Sequence, residues 1–236
     1  MDWNDYDAAL FDLDGVITPT AEVHQRAWGR MFTDFLADHP DAEPYGDDDY
    51  FAYVDGKPRY EGVQSFLESR GIDLPYGDPS DDPAEQTVCA LGNRKNDYFS
   101  DVLRTDGVEA YPGSVALLDA LEERGVKAAL VSSSRNARKV IEAAGVAERF
   151  EVVIDGEVAA AEGIAGKPRP DTYSAAAERL GVPTTRSVVL EDAVSGVQAG
   201  AAGDFGLVVG VDRGAGAETL RRNGADIVVS DLAELL

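Results

Sequence analysis

From about residue 108 onward, short apolar runs alternate with segments whose apolar residues recur at helical spacing. Lys127–Val131, Val152–Ile154, Val188–Leu190, Gly206–Val209 and Ile227–Val229 read as strands. Helical patterns lie around Ser114–Arg124, Ala137–Ala144, Thr172–Leu180, Ala193–Ala202 and Glu218–Asn223. Gly125, Gly145 and Gly181 follow three of these helices, where a C-terminal cap favours a residue tolerant of left-handed geometry. Strands and helices alternating through short connections predict an α/β fold, a doubly wound parallel sheet with helices on both faces. One more apolar run, Ala8–Phe11, stands far upstream and stops at Asp12-Leu13-Asp14-Gly15.

Between Thr20 and Asp106 the alternation ceases. No stretch there reads as a strand, and several have helical period. Val23, Ala27, Met31 and Phe35 repeat every four residues behind Thr20, which has the chemistry of an N-cap. Tyr60–Ser69 reads as a second helix ending near Gly71. Asp82-Pro83-Ala84-Glu85 resembles a helix start, with proline at the first helical position, and the helix it opens would run to Arg104 with Gly92 as a weak point. The expected organisation is therefore a core of residues 1–18 and 108–236, interrupted by a helical cap domain of residues 19–107. An insertion at the ligand end of the first strand is placed to act as a lid.

Composition narrows the functions open to such a fold. The chain of 236 residues carries a formal charge of −23, which argues against nucleic acid or an anionic membrane as partner. Much of the acid lies in loop-like runs such as Asp47-Asp48-Asp49, read as solvated surface; a salt-rich cytosol is the sharper alternative. Cys89 is the single cysteine, so no internal disulfide forms. With no membrane-length apolar stretch and an acidic start at Met1-Asp2, the expected location is cytoplasmic, and the expected state is a monomer or weak oligomer. A phosphate ester as substrate would require so acidic a chain to build a local cationic pocket from few residues.

Asp12 and Asp14 are where the chemistry starts. Two acids crowded at a strand end need a metal, a proton or a cationic group as partner; the alternative is a turn whose aspartates satisfy local N–H groups. Three further elements fall at carboxyl ends of predicted strands, where open α/β sheets bind ligands. Ser132-Ser133-Ser134-Arg135-Asn136 offers hydroxyls and helix N-terminal amides to phosphate oxygens. Gly166-Lys167-Pro168 presents one lysine from a stiffened loop, and Glu191-Asp192 adds a second pair of acids. Each has a plain reading as a cap, a surface lysine or a solvated turn. Their joint placement in one sheet favours a site.

With these four elements in order, Asp12-x-Asp14, Ser132, Lys167 and Glu191-Asp192, the chain resembles the haloacid dehalogenase superfamily of phosphotransferases over nearly its whole length. Within it, Asp12 to Thr18, Thr20 to His24, Arg94 to Asp97 and Tyr111-Pro112-Gly113 are similar to the β-phosphoglucomutase family. The resemblance implies Asp12 as nucleophile and Asp14 as general acid and base. It implies Mg²⁺ held by Asp12, Glu191, Asp192 and the Asp14 carbonyl, with the phosphate bound by Ser132, Ser133 and Lys167. In the cap it implies that Arg59, after Gly56, grips a distal phosphate, that Lys95 binds the sugar and that His24 relays closure. Ser134, Arg135 and Asn136 stand near the second phosphate.

The function implied is a Mg²⁺-dependent phosphosugar mutase interconverting β-glucose 1-phosphate and glucose 6-phosphate, its partner being a small sugar phosphate. A dehalogenase would have no evident use for Asp14 or the metal acids. The alternative is a sugar-phosphate phosphatase that hands the same intermediate to water, favoured by Pro19, where the mutases carry an acid. A non-catalytic sugar-phosphate binder is the third reading.

Overall fold

The computed structural model describes residues 1–236, the side chains of Asp47 and Asp106 excepted. Two compact units separate, one of residues 1–20 with 108–236 and the other of residues 21–107.

The first unit is built on six parallel strands: β1 (Ala8–Phe11), β2 (Lys127–Val131), β3 (Val152–Ile154), β4 (Ser187–Glu191), β5 (Leu207–Val211) and β6 (Ile227–Val229). Their order in the sheet is β3-β2-β1-β4-β5-β6, so the chain winds outward from β1 in one direction and from β4 in the other. The crevice at the carboxyl ends of β1 and β4 is the topological switch point of such a sheet. β1 is buried at all four positions because it has a parallel neighbour on each side. Phe11 stands level with Leu130 on β2 and with Leu190 on β4, and this register decides what surrounds the next residue.

Helices α5 (Pro112–Arg124), α6 (Ala137–Ala143), α7 (Gly156–Glu162), α8 (Asp171–Leu180), α9 (Val194–Ala202) and α10 (Ala217–Arg222) complete this unit. Tyr173, Ala176, Ala177 and Leu180 of α8 pack into the apolar cluster formed with Leu10, Ala129, Val131 and Val189. The hydropathy pattern does not announce α7. Its core is a run of alanines, and its start is fixed by Asp155, whose carboxylate accepts from the amides of Glu157 and Val158 at 3.0 and 2.9 Å.

The second unit is helical: α1 (Thr20–Leu36, entered from the first unit), a short turn α2 (Asp47–Asp49), a π-helical turn Tyr50–Val54, α3 (Arg59–Ser69) and α4 (Val88–Asp106). Among the described residues it holds no strand. Its core joins Met31, Phe32 and Phe35 of α1 to Val63, Phe66 and Leu67 of α3, and Cys89 packs there as a small apolar side chain.

Two local expectations are corrected. The Asp82-Pro83 segment is a turn and not a helix start: Asp82 accepts from the Ala84 amide at 2.9 Å, and its carbonyl takes the Glu85 amide at 2.9 Å. The helix begins six residues later, where Thr87 accepts from the Ala90 amide at 3.0 Å, and it continues to Asp106. Thr20 is the first residue of α1 and not a conventional cap, because its hydroxyl is taken by a more distant partner.

Gly92 does not weaken α4. A Cβ built there would lie 2.7 Å from Cδ1 of Tyr60, a buried ring on α3. Glycine is what lets the two helices approach. Gly92→Ala is therefore expected to cost about 1–3 kcal/mol of stability through overpacking, despite alanine's better helix propensity. Urea unfolding followed by circular dichroism checks this; an unchanged or raised midpoint would contradict it.

Candidate active site

The burial of β1 and its register carry Asp12 into the sheet's carboxyl edge. Its amide donates to the carbonyl of Leu190 at 2.9 Å, so the carboxylate emerges between β2 and β4 beside Glu191. Lys167, brought in by the loop before α8, is 2% exposed. Its ammonium donates to Asp12 Oδ1 at 2.5 Å, to Glu191 Oε1 at 2.6 Å and to the Val131 carbonyl at 3.3 Å. These three contacts use all three ammonium donors.

Glu191 is fully buried and tied down further. Tyr173 Oη donates to Oε1 at 3.2 Å, and the Ala193 amide donates to Oε2 at 2.8 Å. Gly196 on α9 makes room for it: a Cβ there would fall 1.6 Å from Oε1. Asp192 lies against Gly15 in the same way, 1.9 Å from where a Cβ would stand. Ligand oxygens of Asp12, Glu191 and Asp192 all lie within 4.8 Å of one another.

The charges do not balance. Asp12, Asp14, Glu191 and Asp192 are four carboxylates, and Lys167 is the one cation among the side chains just described. Burial pushes the Asp12 carboxyl well above the usual carboxylate range; Lys167 pulls against this, and Glu191 and Asp14 push further up. For Lys167, burial works against the charge, but Asp12 and Glu191 outweigh it and hold the ammonium well above the ordinary lysine value. Tyr173 is likewise driven up, by burial and then by Glu191. An excess of hard oxygen ligands in so small a volume fits a divalent cation.

Asp14 turns elsewhere. Its carboxylate accepts a short hydrogen bond from the Thr20 hydroxyl, and Thr20 Oγ1 lies 2.7 Å from Thr18 Oγ1. The loop between these residues is closed by Gly15, at φ +85°, whose amide donates to the Thr18 carbonyl at 2.7 Å. Asp14 nevertheless acts on its neighbour, its charge raising the Asp12 carboxyl further.

Ser132 continues β2, its amide bonded to the Ile154 carbonyl at 2.9 Å. Its hydroxyl accepts from the Ser134 amide at 3.0 Å, and the Ser134 hydroxyl accepts from the Asn136 amide at 3.1 Å. These successive turns shape the loop through Ser133 and Arg135 ahead of α6. Ser132 and Asn136 are buried, whereas Ser133, Ser134 and Arg135 are partly open.

In the helical unit, Arg59 at the start of α3 donates to Asn96 Oδ1 on α4 at 2.8 Å. Lys95, the neighbour of Asn96, is 4% exposed; its ammonium is hydrogen-bonded to His24 Nδ1 and lies 5.0 Å from the centres of the Trp28 and Phe99 rings. His24 stacks on Phe99 at 4.1 Å. Gly56 turns the chain before α3 at φ +67°.

The sequence model of the haloacid dehalogenase-like hydrolase family matches residues 6–204. A β-phosphoglucomutase from Mycobacterium tuberculosis is 49% identical, covering 97% of this chain and 91% of its own length. The chain belongs to the β-phosphoglucomutase family of haloacid dehalogenase-like enzymes. A second member of the β-phosphoglucomutase family, from Bacillus subtilis, is 34% identical with the same coverage. The crystal structure of a β-phosphoglucomutase from Clostridium difficile shares the fold, with a TM-score of 0.77 at 24% identity over 98% of this chain and 93% of its own.

Two residues bonded to carboxylates of this candidate site carry no local signal in the sequence. Tyr173 reads as ordinary core at helical spacing, and only its position six residues after Lys167 hints that it reaches the same carboxylate. Thr20 reads as a local cap, although its hydroxyl serves Asp14.

Proposed function

We propose that this enzyme interconverts β-glucose 1-phosphate and glucose 6-phosphate by passing a phosphoryl group through Asp12. In the first half-reaction an Asp12 carboxylate oxygen bonds to the C1 phosphorus of glucose 1,6-bisphosphate, the bond from that phosphorus to the C1 oxygen breaks, and the C1 oxygen takes a proton from Asp14, releasing glucose 6-phosphate. In the second, Asp14 takes the proton of the C6 hydroxyl of β-glucose 1-phosphate as that oxygen attacks the aspartyl phosphate, and the oxygen–phosphorus bond to Asp12 breaks. A sugar bisphosphate thus forms and must bind in two orientations.

The observation that carries this reading is that the two aspartates bond to different partners. Asp12 sits in the Lys167 pair, whereas Asp14, two residues on, is held by the Thr20 hydroxyl and can exchange a proton. Lys167 places a positive charge where the phosphate oxygens gather, and Ser132 and Ser133 contribute hydrogen bonds to them. Asp12, Glu191, Asp192 and the Asp14 carbonyl would hold Mg²⁺. Glu191 has about four acceptor positions, of which Lys167, Tyr173 and Ala193 use three. The ion, when bound, neutralises charge that would otherwise repel a dianionic phosphate from Asp12.

Arg59 supplies the distal grip, its guanidinium oriented by Asn96 and suited to bidentate phosphate contact. Lys95, hydrogen-bonded to His24, addresses the sugar hydroxyls, and Ser134, Arg135 and Asn136 border the second phosphate. A cation for a distal phosphate is superfluous to hydrolysis of a monophosphate, which favours the mutase over the phosphatase.

Arg59→Ala tests this directly. Formation of glucose 6-phosphate from β-glucose 1-phosphate, primed with glucose 1,6-bisphosphate, is expected to fall about 100-fold or more, since a charged hydrogen-bonded phosphate contact is lost. Hydrolysis of a small aryl phosphate should change little. Equal losses on both substrates would contradict the distal-phosphate role and return the phosphatase reading.

A further inference from the structure

The loop from Asp14 to Thr18 is fastened by an arginine that its position in sequence does not advertise. Arg213 follows β5. Its Nε donates to the Gly15 carbonyl at 2.9 Å, and Nη1 donates to the Ser230 carbonyl at 3.0 Å. The guanidinium plane lies over the Tyr111 ring, 4.0 Å from its centre. Its nearest carboxylate, Asp231, stands back at 3.9 Å. The side chain therefore spends itself on two backbone carbonyls and an aromatic face, contacts that need a planar fork and that lysine cannot reproduce.

The other loop carbonyls are fastened from the same side of the sequence. Tyr111 donates its amide to Ile17 O at 2.9 Å, and Ser114 donates its hydroxyl to Val16 O at 2.6 Å. Arg213 thus packs on the residue that itself holds the loop. Gly15 is gripped twice, by Arg213 at its carbonyl and by Asp192 packed against its Cα. Its amide, bonded to Thr18 O, shares a planar peptide unit with the Asp14 carbonyl. Fixing Gly15 therefore fixes the direction in which that carbonyl points.

We propose that Arg213 is a positioning residue for the metal site: through Gly15 it aims the Asp14 carbonyl at the ion and sets the Asp14 side chain for proton transfer. This rests on the reading of Asp12, Asp14, Glu191 and Asp192 as the ion's ligands. It does not require Arg213 to touch substrate or metal. Outer contacts that orient ligands govern metal affinity by about 10–100-fold.

The test is direct binding of Mn²⁺ to the full chain, followed by electron paramagnetic resonance without substrate. Arg213→Gln is expected to weaken Mn²⁺ by about tenfold or more, with circular dichroism confirming the fold. Arg222→Gln, which removes an equal charge from an exposed helix arginine paired with Glu218, should leave affinity unchanged. Guanidinium ion at millimolar concentration should restore part of the affinity to Arg213→Ala, and methylammonium should not. Should Arg213→Gln fail to fold, Tyr111→Leu removes only the aromatic face and is expected to weaken Mn²⁺ to a smaller degree. Wild-type affinity in a folded Arg213→Gln, or in Tyr111→Leu if that is the variant measured, overturns the proposal while leaving the metal site standing. A wild-type protein that binds no Mn²⁺ overturns the metal reading and this proposal with it.

Discussion

Asp12→Asn is expected to abolish phosphoryl transfer, by on the order of 10⁴-fold or more, while making the metal-free protein more stable. The loss follows from chemistry: an amide oxygen is a poor nucleophile toward phosphorus, and Glu191, the other carboxylate bonded to Lys167, is fully buried and already tied to Tyr173 and the Ala193 amide. The gain follows from the charge excess. Burial raises the Asp12 carboxyl, and Glu191 and Asp14 add to the rise against the pull of Lys167. A carboxyl raised in the fold holds its proton more tightly folded than unfolded. Stability therefore falls as pH rises from the unfolded carboxyl value through the raised folded one. Asparagine has no such ionisation, so the metal-free variant should melt a few degrees above the wild type at pH 7. Differential scanning calorimetry in chelator reads the shift, and acid-quenched radiolabelled phosphoenzyme reads the loss. A variant that retains label, or that melts lower, contradicts the account of Asp12.

Lys167→Met should do the opposite to stability. Lys167 is 2% exposed and pairs with Asp12 and with a fully buried Glu191. Taking away the shared cation leaves two carboxylates facing each other out of water. Removing one partner of a buried pair costs about 3–5 kcal/mol, since the remaining charge is uncompensated. The penalty should shrink in acid as Asp12, whose carboxyl burial already raises, takes up a proton. Urea unfolding at pH 7 and pH 5 measures both effects. Equal stability of variant and wild type at pH 7 would show that Lys167 does not compensate these charges. Activity is lost as well, because the phosphate oxygens lose their fixed point charge.

How much of this was readable from the residues depended on how far each contact reached. β1 and its terminal Asp12 were legible because an apolar run into a glycine is a local signal. Lys167 and Glu191 were legible as candidates, since each stands next to a predicted strand end. Their convergence on Asp12 was not, because it depends on strand order and on the level alignment of Phe11, Leu130 and Leu190. Local rules failed where a more distant partner took the side chain. The Thr20 hydroxyl goes to Asp14 and not to its own helix. Asp82 folds back on Glu85 and leaves Thr87 to start α4. Gly92 read as a defect because its justification, the Tyr60 ring, lies on another helix. Arg213 carried no signal at all, since an arginine after a strand ordinarily points to solvent.

In the proposed reaction Asp12 hands its phosphoryl group to a sugar and not to water. Radiolabelled phosphoenzyme, formed with Mg²⁺ and separated from its donor, is mixed with unlabelled β-glucose 1-phosphate and quenched within a single turnover. The label is expected in glucose 1,6-bisphosphate and then in glucose 6-phosphate. Label recovered as inorganic phosphate, at the rate seen without sugar, would contradict that reaction.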